Sequence, residues 1–134
     1  MIYMKILAVS NVSGEVDRAV EALENADAKI VAKEIPGDLN ALDKTVHDSV
    51  RSGMYDYVLA LPSDHIGACI QLNKYKEIKA APCISEEDIR LAALNGANVI
   101  VVRSGAQLDF IGRNLGIFER KKEEAQRAAA KKFL

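Results

Sequence analysis

The sequence contains no tryptophan, and only 5% of its residues are aromatic. Its tyrosines, Tyr3, Tyr55, Tyr57 and Tyr75, are too scattered to stack bases, and no segment carries a basic recognition face, so nucleic acid is not an expected partner. A surplus of either charge is also missing, with 18 Lys and Arg against 19 Asp and Glu. Nothing therefore draws the chain as a whole toward polyanions or anionic membrane. Only two cysteines occur, Cys69 and Cys83, and their separation is far from any C-x-x-C spacing. Neither a disulfide framework nor a metal site is expected, and both read as reduced thiols used for packing. No apolar run approaches the roughly 18 residues that a membrane span needs, and residues 1–5 are not a basic region leading into an apolar one. A cytoplasmic location is the expectation.

What is present is a 134-residue chain with 49% apolar and 28% charged residues, enough for a single core, read as one domain over 1–134. Short apolar runs alternate with helical patterns along it. Ile6-Leu7-Ala8-Val9 reads as a buried strand running into the small-residue loop Ser10-Asn11-Val12-Ser13-Gly14. Val16, Ala19, Val20 and Leu23 then fall at helical spacing over 15–25, and Lys29 to Ile35 form a second strand stopped by Pro36-Gly37-Asp38. Leu42, Val46 and Val50 mark a helix over 39–52 that Gly53 ends.

Tyr57-Val58-Leu59-Ala60-Leu61 is the third strand, and the loop leaving it, Pro62-Ser63-Asp64-His65-Ile66-Gly67, opens a short helix that Ser63 or Asp64 can cap. A brief fourth strand covers 78–82, and Ser85-Glu86-Glu87-Asp88 opens a helix that stops at Asn95-Gly96. Asn98 to Val102 supply the fifth strand, with two helical stretches over 106–115 and 117–134 beyond it. The tail is charged and alanine-rich, which suits a terminal helix with a solvated face or one packed on a neighbouring subunit. The expected architecture is a Rossmann-like three-layer α/β/α sandwich around a five-stranded parallel sheet, ordered 2-1-3-4-5, with a C-terminal helix.

The stretch Asn73-Lys74-Tyr75-Lys76-Glu77-Ile78-Lys79-Ala80-Ala81-Pro82-Cys83, followed by Asp88-Ile89-Arg90-Leu91-Ala92 and Ala97-Asn98-Val99-Ile100, resembles the ribose-5-phosphate isomerase B and galactose-6-phosphate isomerase family. That family shows an N-K, I-R-A-A-x-C, A-R-L-A and A-N-V-L progression in this order. The resemblance implies an aldose-ketose isomerase of phosphorylated sugars, without a cofactor, assembled as a homodimer or higher oligomer with sites between subunits. It also implies a thiolate base after the third strand, but Pro62 stands there, and proline has no ionisable group. Asn11 and Val12 replace the acidic residue and histidine of the first loop, and Leu94-Asn95-Gly96 is one residue shorter than the family pattern and has no histidine.

In open α/β sheets, ligands bind outside the carboxyl ends of the strands, so the candidate site residues are those of the loops there. Asp64 and His65 form the candidate acid/base pair, a carboxylate beside an imidazole at a helix start. Equally, Asp64 can be only a cap and His65 an exposed first-turn residue. Ser10, Asn11, Ser13 and Gly14 precede a helix where free amides could hold a phosphate, although ordinary turn chemistry explains them as well. Ser63 and the amides near Gly67 could steady an enediolate, and Arg103 and Asn95 complete the substrate-binding set. Two functions stay open: an isomerase of a small phosphorylated sugar, with altered chemistry, or a catalytically inactive binding or partner subunit that assembles with itself or an active paralogue.

Overall fold

The apolar run ending at the first loop forms β1 (Met4–Ser10), whose side chains alternate between two cores: Met4, Ile6 and Ala8 on one face, Leu7 and Val9 on the other. The computed structural model describes residues 4–24 and 28–131. After β1 come α1 (Glu15–Leu23), β2 (Ala28–Glu34), α2 (Leu39–Ser52), β3 (Tyr57–Ala60), α3 (His65–Leu72), β4 (Ala80–Pro82), α4 (Glu86–Leu94), β5 (Val99–Val101) and α5 (Asp109–Lys131). The expected end of the first helix at residue 25 and of the last at 134 lie outside the described residues.

All strand pairs are parallel, and the sheet is ordered β2-β1-β3-β5-β4. The expected order 2-1-3-4-5 is therefore corrected at its end: β5 lies between β3 and β4. Handedness explains the placement. The connections from β1 to β2 and from β4 to β5 both move one way across the sheet, and α1 and α4 share a face with α5. Those from β2 to β3 and from β3 to β4 move the other way, and α2 and α3 cover the opposite face. Right-handed crossovers demand this reversal. Pro82 was the sequence sign of the edge, since a proline lacks the amide that an interior strand needs on both sides.

Local signals set the element ends. Asp38, Asp64 and Ser85 each accept a backbone N–H from the first turn of α2, α3 and α4, and Gly53 closes α2 in the left-handed conformation at φ +69°. The two helical stretches expected after the fifth strand are one continuous α5, because Gly112 and Gly116 are tolerated inside it.

Candidate active site at the carboxyl edge

Four loops meet at the carboxyl ends of the strands, and most of their polar groups bond to one another. Ser10 is fully buried; its hydroxyl donates to the Leu61 carbonyl at 2.5 Å and accepts the Val12 amide at 2.9 Å. Asn11 bridges to the third loop through both ends of its amide, donating to the Ser63 hydroxyl at 3.1 Å and accepting the Ser63 amide at 3.0 Å. Gly14, at φ +82°, donates its amide to the Glu34 carboxylate at 3.1 Å, and Ser13 is exposed. The first loop thus has its hydroxyl and two of its amides engaged and a carboxylate beside it, which disfavours a phosphate there.

Asp64 and His65 are adjacent in sequence but face different clefts. The Asp64 carboxylate accepts the Gly67 amide at 2.9 Å and lines a cleft of about 520 Å³ with Asn11, Asp38, Asn40, Ser63 and Gln71. A Cβ on Gly67 would come 2.3 Å from Asp64 Oδ2, so a larger residue there would have to push the capping carboxylate aside. His65, the half-buried first residue of α3, lines a second cleft of about 460 Å³ with Ile84, Arg103, Gln107, Asp109 and Arg113. Arg103 makes no ion pair among the described residues, whereas Arg113 donates to Glu86 at 2.9 Å and Asp109 at 3.2 Å. These carboxylates, Glu86 foremost, raise the Arg113 guanidinium further above its ordinary value.

Asn95 is not with the others. It caps the C-terminus of α4, donating to the Leu91 carbonyl at 2.8 Å, and so sits toward the amino edge of a parallel sheet. It lines a groove of about 400 Å³ along β4 with Asn73, Lys79 and Asp88. The thiols face opposite cores, Cys83 with α4 and α5 and Cys69 with α2 and α3. Burial pushes Cys83 up to about 12 and Cys69 up to about 11, so at neutral pH both are thiols and neither is a ready nucleophile. Pro62 is buried, and its carbonyl accepts the Ser104 amide at 3.1 Å. No group of three or more His, Cys, Asp or Glu among the described residues could hold a metal, and no described helix is long and apolar enough to cross a membrane.

Sequence reasoning placed His65 and Arg103 at the carboxyl edge and weighed Arg113 as positive charge for an anionic ligand, but missed Ile84 and Gln107, which share their cleft. It also missed Glu15 and Arg18, whose ion pair ties α1 to the loop after β5. The i, i+3 spacing of a Glu and an Arg at a helix start was the available signal for that pair.

This parallel sandwich, with polar loops at its carboxyl edge and a cleft holding an imidazole and two guanidiniums, defines a Rossmann-like α/β protein. No family model matches the sequence, and no curated protein matches it. Solved structures do. The chain superposes on ribose-5-phosphate isomerase B from Giardia lamblia with a TM-score of 0.71 at 22% identity, covering 86% of this chain and 93% of that one. The same enzyme from Mycoplasma genitalium, with bound ribulose-5-phosphate, gives 0.69 at 18% identity over 98% of each chain. A 4-deoxy-L-threo-5-hexosulose-uronate ketol-isomerase complexed with a tartrate gives 0.69 at 18% identity over 90% of this chain and 64% of that one. The chain has the ribose-5-phosphate isomerase B fold.

Proposed function

We propose that the protein binds a small phosphorylated sugar in the cleft between α3 and the start of α5 and interconverts its aldose and ketose forms, or has diverged from doing so. The observation that carries this reading is the sharing of one cleft of about 460 Å³ by His65 and Arg103, a guanidinium with no ion pair among the described residues. An imidazole can move a proton between adjacent carbons, and a guanidinium can hold a phosphate or a developing enediolate oxygen. Asp64 fixes the first turn from which His65 projects. Ligand binding by proteins of this fold supports the choice, since one of its relatives holds ribulose-5-phosphate.

A specific observation favours the inactive reading as the alternative. Pro62 occupies the position where the resembling family carries its base, and both thiols are buried and protonated at neutral pH. In that case the chain binds the sugar phosphate, or completes a paralogue's site, without turnover. We also infer a homodimer or higher oligomer, supported by exposed Ile66 and Ile70 on α3, Ile84 before α4, and Leu91 and Leu94 on α4. These residues belong to the elements that flank the β4 edge.

Isomerisation of pentose and hexose phosphates is assayed for wild type and His65→Ala. Loss of activity of about 10²-fold or more in the variant supports His65 as the proton carrier. Equal activity removes it. Absent turnover with calorimetric binding retained in wild type selects the inactive binding reading, and absent binding rejects both the isomerase and the binding subunit, leaving only completion of a paralogue's site.

A further inference from the structure

Arg103 and Gln107 reach the cleft from the loop between β5 and α5, and that loop is gripped from outside the cleft by two residues of α1. Glu15 is buried, and its carboxylate accepts the Gly105 amide at 3.1 Å through Oε2. Both of its oxygens also accept Arg18 Nη1 at 2.9 Å. Arg18 Nη2 donates in turn to the Ala106 carbonyl at 2.6 Å. Gly105 sits at φ +82°, the left-handed conformation open to glycine, and nothing lies within 4 Å of where its Cβ would be. Around the clamp the loop's backbone is also tied by Ser104 N–H to the Pro62 carbonyl and by Ala106 N–H to the Arg103 carbonyl, both at 3.1 Å, and at its ends by Val102 N–H to the Ala60 carbonyl at 2.9 Å and Ile111 N–H to the Leu108 carbonyl at 3.0 Å.

We propose that Glu15 and Arg18 are positioning residues: by clamping Gly105 and Ala106 they fix where Arg103 and Gln107 stand in the cleft. This rests on the reading that the cleft takes a phosphorylated ligand. Neither residue lines the cleft, and the hydrogen bonds of the Glu15 carboxylate run to Arg18 and Gly105, so it is not available there as a base. The clamp is all-or-none in character. A buried carboxylate needs its cation, so removing Arg18 leaves Glu15 with only the Gly105 amide and favours its escape to water, taking the loop with it. A guanidinium suits the task because it can hold a carboxylate and a carbonyl at once through separate nitrogens, which an ammonium on a flexible stem does poorly.

The test is a double-mutant cycle in the full chain with inorganic phosphate as calorimetric probe, combined with backbone amide exchange. Arg18→Met should weaken phosphate binding about fivefold on its own and add nothing once Arg103 is already Arg103→Ala, because of the two side chains it positions only the Arg103 guanidinium carries the charge that holds a phosphate. Exchange at Gly105 and Ala106, whose amides are bonded to Glu15 and to the Arg103 carbonyl, should accelerate while the amides of β1 and β3 stay protected. Losses that add in the double variant overturn the proposal, as does unchanged exchange in the loop. If wild type binds no phosphate, the reading of the cleft falls, and the exchange arm alone decides the clamp. Should Arg18→Met fail to fold, Arg18→Lys, whose ammonium holds the Glu15 carboxylate and the Ala106 carbonyl together poorly, replaces it in the same cycle with the same deciding outcomes.

Discussion

Asp43, on α2, is only 4% exposed, and its Oδ1 has no hydrogen-bond partner among the described residues. Burial pushes its carboxyl from the ordinary 3.8 up to about 6. The folded state therefore holds this proton more tightly than the unfolded chain does. Its stability is intact below about pH 4, declines as pH rises from about 4 to about 6, and carries the full deficit above that. A shift of about two units sets an upper bound of about 3 kcal/mol on the deficit. Asp43→Asn, an isosteric neutral replacement, should stabilise the protein by about 1–3 kcal/mol at pH 7.5 and by much less at pH 4. Urea denaturation of both proteins at the two pH values measures it, and parallel curves would contradict it. Nothing in the local pattern hinted at this, because Asp43 sits among alternating polar and apolar helix positions and only packing reveals which side is covered. The same limit applied at the site. That Asp64 would be an N-cap was legible from its place before an apolar helix, but the direction in which His65 leaves the first turn was not.

The helices and strands themselves followed from periodicity and from end signals such as Asp38, Gly53 and Ser85. What was not legible was the distance between elements. Gly112 is an example: a Cβ there would lie 2.7 Å from the Ala22 carbonyl oxygen, so α1 and α5 approach at that point as only glycine allows. Gly116, one turn on, meets only the end of the Arg120 side chain at 3.9 Å. Gly112→Ala should cost about 1–3 kcal/mol by overpacking against backbone, outweighing the gain in helix propensity. Gly116→Ala should gain up to about 1 kcal/mol from that same propensity. Chemical denaturation of the two variants checks the opposite signs, and equal effects would mean that the close approach is absent. The β4 edge carries a second such device. Asn73 donates to the Ala80 carbonyl at 3.0 Å and accepts the Ala80 amide at 2.7 Å, filling the two groups that an added strand would use, and Pro82 has no amide to offer. Asn73→Ala should expose both groups, lower stability by about 1–3 kcal/mol and raise concentration-dependent association, as light scattering would register.

At the scale of the whole molecule, the sheet closes its β4 edge to strand pairing yet leaves large apolar side chains on the two helices beside it. Those two facts together narrow the kind of assembly that the chain can form. Strand addition across β4 is disfavoured by Asn73 and Pro82, so an oligomer using this side has to meet through α3 and α4, helix against helix. A two-fold arrangement suits the charges as well, because Lys79 and Asp88 line the same groove, and a two-fold axis across it sets the lysine of one copy toward the aspartate of the other. Ile70 and Leu91 are 59% and 43% exposed in the single chain, and an isologous contact would cover both. Wild type should then sediment at about twice the 14.6 kDa of one chain. Placing a charge on each helix, as in Ile70→Glu with Leu91→Glu, should give the single-chain mass while leaving the far-ultraviolet circular dichroism unchanged, since both side chains are exposed and neither belongs to a core. A wild type that sediments as one chain at micromolar concentration, or a double variant that still pairs, would place the interface elsewhere or remove it.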